Sequence, residues 1–246
     1  FYWMGMHLVF FHASDRKHRG EEVGKQKSAA VMATTIGPFL GGILITFVGF
    51  PVVFILAAVL LGISALILFK SEENHSKYHF SVKAVFNKKH WKDSLFFISR
   101  GTKVITNGVV WPLFIFLILG SYLSLGIVGS ILSGVSVVLL LVVGKYSDHK
   151  NKKKIIRWSV GLESVSWFLR ALVSTVGQVF GITVFAALIF GVQESPLGAM
   201  EYNKARGEIA AYFVSREVFL CIGRILVLMV VLMTNSLAGG LILPGT

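Results

Sequence analysis

The chain has 246 residues, of which 54% are hydrophobic and only 15% charged, with a mean hydropathy of +0.74. So little charge cannot cover a water-soluble domain, and the apolar residues fall in runs near 20, enough to cross a hydrocarbon core of about 30 Å at about 1.5 Å per residue. The net charge of +12 does not point to nucleic acid, because it is gathered into four strips between those runs.

In chain order, residues 1–11 read as the end of a cut helix: Phe1-Tyr2-Trp3-Met4 opens inside an apolar stretch, with no initiator Met and no secretory signal. Residues 28–48 and 51–69 are uncharged and of spanning length. Residues 104–144 are uncharged over too long a run for one span, and Gly120-Ser121 with Gly126 mark a turn, giving spans near 95–119 and 122–143. Further spans are expected near 156–174, 178–196 and 217–238. Lipid offers the backbone no hydrogen-bond partners and the runs show no two-residue alternation, so helices are expected and a β-barrel is not. The fold class is all-α: a polytopic transmembrane helix bundle with seven full spans and a partial one. The one cysteine, Cys221, lies in an apolar run and excludes a disulfide framework.

Lys and Arg orient the bundle. Strips 12–27, 70–92, 145–157 and 204–216 hold five, six, six and three of the 24, whereas the alternate connections hold none. By the positive-inside rule the four strips are cytoplasmic. The remaining four cations, Arg100, Lys103, Arg170 and Arg224, lie within the spans.

Arg19-Gly20-Glu21 recurs as Arg206-Gly207-Glu208, each copy between an inward-running and an outward-running span, as in an internal repeat. Gly37-Pro38-Phe39-Leu40-Gly41-Gly42 stands in an outward-running helix, with Gly24 upstream and Ala33 at a place where glycine is usual. Gly144-Lys145-Tyr146-Ser147-Asp148 begins a loop that continues through Lys152 and Lys153, with His149 and Asn151 departing from the usual pattern. Together with the long basic stretch before residue 94, these motifs resemble the major facilitator superfamily: the first its antiporter signature in helix five, the second its signature loop between helices eight and nine. The resemblance implies that the chain runs from late helix four to helix eleven. Residues 1–69 then end the N-terminal six-helix half, 70–93 form the cytoplasmic central loop, and 94–246 belong to the C-terminal half.

Ala29, Ala33, Gly37 and Gly41 recur every four residues and form a bare stripe on which another helix can approach, while Pro38 weakens the helix locally. Asp148 can cap the next helix or pair with a cation, and the resemblance places it in a cytoplasmic gate. Charges inside spans cost about 2.5 to 3.5 kcal/mol each on insertion scales, so each needs a reason. Arg100, Lys103, Asn107 and Trp111 share one helical stripe, in the family's cavity-lining seventh helix, and are the expected substrate-binding residues. Arg100 sits where it can also snorkel inward. Glu163, Trp167 and Arg170 form a second stripe, read as a structural ion pair or polar packing. Glu194, with Gln193 beside it, is a candidate proton carrier or gate residue, with Arg224 as its partner.

The expected function is a secondary active transporter moving a small solute by alternating access, as proton-coupled efflux or antiport from the cell's inner membrane. The alternative is a proton-coupled importer of a small organic solute, anionic if the excess of intramembrane cations is left to the substrate. A membrane-embedded enzyme would need clustered catalytic or metal-ligating side chains, and the seven histidines are scattered, with only His75 and His79 four apart in a polar loop. No cofactor, metal or nucleic acid is expected; the partners are the substrate, protons and the bilayer.

Overall fold

The computed structural model describes residues 6–7, 10–11, 14–15, 17–69, 85–86, 91–148, 151–205 and 209–245. The second copy of the Arg-Gly-Glu repeat, His149 and most of the 70–93 stretch lie outside them. Among the described residues every regular element is helical. Helix α1 spans Arg19–Phe47, α2 Phe50–Phe69, α3 Trp91–Leu119, α4 Tyr122–Asp148, α5 Lys152–Ala171, α6 Val176–Lys204 and α7 Ile209–Thr234. A short α8, Leu237–Ile242, runs into a 3-10 turn at Leu243–Gly245.

These seven long helices fall on the seven expected spans. Six of them are long and apolar enough to cross a membrane; α5 has the length but not the composition. It carries Lys152, Lys153, Lys154, Arg157, Glu163 and Arg170 in 20 residues, and Glu163 and Arg170 are turned into the bundle. Helix α1 starts nine residues before its apolar run and α6 ends eight after its own, because a backbone ladder, once begun, continues through polar residues. The turns follow from local chemistry. Gly49 and Gly120 take positive φ of 93° and 61° between adjoining spans, a region costly for residues with a Cβ. Asn151 caps α5 by accepting from the Lys153 and Lys154 amides, and Thr175 with Gln178 forms a capping box at the start of α6.

Helix α1 lies along α4, which also packs on α6; α5 packs on α6, and α3 pairs with α7. The described parts of the basic strips meet at one end of the bundle. Arg19 donates to Asn203, Lys204 pairs with Asp93, and Asp148 accepts from the start of α1. A hydrophobic cluster containing Val23, Ala199, Tyr202 and Phe213 fills that end. A larger one, with Trp111, Ile115, Val128, Trp167, Val179, Val227 and Leu241, lies among α3 to α8.

The α1–α4 seam does not run along the expected small-residue stripe. Gly37 and Gly41 have open space where a Cβ would stand, and Ala29 and Ala33 are exposed. Contact runs instead along Gly20, Gly24, Pro38 and Gly42. Cβ atoms added at Gly24 and Gly42 would lie 2.7 Å from the Leu140 and Tyr122 carbonyl oxygens, and one added at Gly126 of α4 would lie 2.3 Å from the Pro38 oxygen. In lipid, helix association relies on such close packing, because burying apolar surface gains nothing against hydrocarbon. Gly126→Leu is expected to destabilise the chain by about 3 kcal/mol or more, and Gly37→Leu by less than about 1 kcal/mol. Unfolding in detergent measures both, and equal losses would contradict this seam.

Candidate functional site

Two polar clusters are built into the apolar bundle. The first lies at its basic end. The Asp148 carboxylate, 4% exposed, accepts from the Gly20 and Glu21 backbone amides at 2.9 and 2.8 Å and from Lys152 Nζ at 2.6 Å. It therefore caps α1, some 130 residues back in the chain, and not the next helix, whose cap is Asn151. Free N–H groups and the positive end of the helix dipole favour a carboxylate there. Gly20 permits the approach, since a Cβ would lie 2.5 Å from Asp148 Oδ1.

Deeper along the same side, Glu194 of α6 accepts from Lys27 Nζ at 2.8 Å and Arg100 Nη2 at 2.9 Å. Arg100 Nε lies 3.4 Å from Glu201 Oε1, and Arg216 Nε 3.3 Å from its Oε2. Three cations from α1, α3 and α7 thus converge on two carboxylates of α6. Gly198, between Glu194 and Glu201, lets Val23 of α1 approach this face. Arg100, its side chain 13% exposed, is held by these two carboxylates. The partners of Glu194 are Lys27 and Arg100 rather than Arg224, whose Nε is buried without a hydrogen-bond partner among the described residues.

The second cluster surrounds a cavity of about 180 Å³ bounded by side chains of α1, α3, α4, α5 and α6. Its polar wall includes Thr34, Asn107, Ser133, Glu163, Ser166 and Arg170; Ile189 and Phe190 form part of its apolar wall. Glu163 Oε2 accepts from Lys103 Nζ at 2.5 Å and Gln193 Nε2 at 3.0 Å. Arg170 Nη1 donates to Asn107 Oδ1 at 2.7 Å, and its guanidinium lies 4.2 Å from the Trp167 ring centre and 4.9 Å from that of Trp111. Asn107 lies in a π-helical turn, Thr106–Val110, that interrupts α3; such turns are common at functional sites.

Of the four expected substrate residues, only Asn107 lines the cavity. Lys103 is occupied by Glu163, and Trp111, 3% exposed, stacks beneath Arg170. The α5 stripe is not an internal ion pair: Glu163 and Arg170 each reach a different residue of α3. Sequence spacing grouped Glu163, Trp167 and Arg170 on one face but carried no signal that the face borders a cavity. From sequence, Lys27 and Arg216 are placed only in basic strips and Glu201 is not singled out. The placing of Glu194 and Glu201 seven apart on one helix stripe was the available clue.

Apolar helices of membrane length around a polar interior define a multi-pass membrane protein. The chain belongs to the Major Facilitator Superfamily, which residues 1–228 match. It is 25% identical to "Uncharacterized protein YqgE" of Bacillus subtilis (strain 168), over 96% of this chain and 59% of that protein. It is 30% identical to "Multidrug resistance protein MdtG" of Proteus mirabilis (strain HI4320), over 72% of this chain and 49% of that protein. The chain thus spans between about half and three fifths of the length of these curated relatives.

Proposed function

We propose that the protein is a secondary active transporter of the inner membrane that exports a small solute by alternating access, coupled to protons. The observation that supports this reading is the pairing of a polar cavity among α1, α3, α4, α5 and α6 with an ion-paired closure at the basic end that ties α1 to α3 and α6. The closure joins α1 to helices of residues 94–246, which we assign to the opposite half. Asp148 on the start of α1 and Glu194 between Lys27 and Arg100 are bonds that a rocking motion would break and remake. Glu163, in the cavity wall, is the coupling carboxylate, because protonating it releases Lys103 and changes the charge at the cavity; Glu194 holds the closure. Membership of the superfamily supports transport, and a relative named for multidrug resistance supports export over the importing alternative.

The complete protein, reconstituted in vesicles, is expected to move a solute against its gradient when an opposing proton gradient is imposed, and to acidify or alkalinise the lumen in step with that movement. Glu163→Gln is expected to retain exchange of solute for solute and to lose gradient-driven movement. Solute movement unaffected by the proton gradient in the wild type would contradict the coupling.

A further inference from the structure

The interior cations are not treated alike. Lys27, Lys103, Arg100 and Arg216 each face a carboxylate. Arg170, 4% exposed, has none within ion-pair distance among the described residues; its partners are the neutral Asn107 and two indole faces. Arg170 Nε is buried without an acceptor, and so are Trp167 Nε1 and the Ser166 hydroxyl on the adjoining positions of α5. All three residues line the same cavity. Three unsatisfied donors, one of them on an unneutralised cation, are costly in a membrane interior and call for a partner.

We propose that this cavity seats a small organic anion, its charged group bound by Arg170 with Ser166 and Trp167 and its apolar body against Ile189 and Phe190. This assignment rests on the transport reading and names the class of its substrate. Three features fix the class. The net charge of the wall is positive, because Glu163 is neutralised by Lys103 whereas Arg170 is not. A guanidinium packed on two indole rings, with Nη1 on Asn107 and Nε without an acceptor, retains N–H groups for a planar or tetrahedral oxyanion. A cavity of about 180 Å³ lies below the roughly 300–1,000 Å³ of drug-sized sites, which selects a small solute in this conformation.

The test is equilibrium binding to the detergent-solubilised complete protein, with benzoate and phenylphosphonate as anionic probes and benzamide as the uncharged isostere of benzoate. The wild type is expected to bind at least one anion at least about tenfold more tightly than benzamide, and Arg170→Gln to remove that preference. Ser166→Ala is expected to weaken the anion about threefold and leave benzamide unchanged, which preserves the test if Arg170→Gln fails to fold. Equal binding of anions and benzamide by the wild type, or an anion preference intact in Arg170→Gln and Ser166→Ala, would overturn the assignment. Displacement of the bound anion by equimolar chloride would also overturn it, making the site one for inorganic ions. Selective anion binding by a protein that moves no solute in vesicles would keep this site and remove the transport reading; coupled transport with no anion preference would do the reverse.

Discussion

Glu163→Gln and Lys103→Gln are each expected to destabilise the chain by about 3 kcal/mol, and the two together to cost less than about 1 kcal/mol. Their side chains are 14% and 21% exposed and meet at 2.5 Å. Removing one partner strands a charge in a medium that cannot solvate it, which costs about 3–5 kcal/mol for a buried pair; replacing both partners by neutral groups is often close to neutral. Residual exposure places these residues at the lower end of that range. The two single variants differ in a predictable direction. Lys103→Gln leaves Glu163 an N–H donor from Gln193 at 3.0 Å, whereas Glu163→Gln leaves Lys103 only an amide oxygen, so Glu163→Gln is expected to be the more destabilised. A thermal shift of roughly 6–12 °C for each single variant, largely recovered in the double, is the corresponding readout. Additive losses would show that the pair is not a unit, and that each group is held by other partners.

Much of the fold was legible in the sequence, because lipid imposes a simple demand. Backbone polar groups must be satisfied within the segment, so apolar runs such as 28–48 and 51–69 have no alternative to the helix. The gathering of Lys and Arg into alternate connections likewise anticipated that those strips would share one end of the bundle, as Asp148 on Gly20 and Arg19 on Asn203 demonstrate. What did not follow was the choice of neighbour. The stripe through Gly37 and Gly41 and the seam through Gly24, Pro38 and Gly42 are equally rich in small residues, and only the position of α4 distinguishes them. Helical spacing put Lys103 on a face with Asn107 and Trp111 without revealing Glu163 opposite it. The same limit concealed the cavity: its walls come from five helices, and no period within one segment records what stands across a gap.

The second large effect concerns the closure of the basic end. Asp148→Asn removes the charge that faces the Gly20 and Glu21 amides and sets an amide N–H where only acceptors are needed. A hydrogen bond to a charged group contributes about 1.5–3 kcal/mol, so a loss of about 2 kcal/mol confined to the closed conformation shifts the closed–open equilibrium about 30-fold toward the open form. Folding itself is expected to be little affected, because α1 keeps its seam along α4. Lys25 and Lys154 are exposed at this end on α1 and α5, which move with opposite halves in the proposed cycle. Spin labels at Lys25→Cys and Lys154→Cys, with Cys221→Ser and in lipid vesicles, report the separation by double electron–electron resonance on the complete protein. The account predicts a short and a long distance in exchange, with the long one predominant in Asp148→Asn. A single distance, unchanged by Asp148→Asn, would contradict alternating access through this end of the bundle.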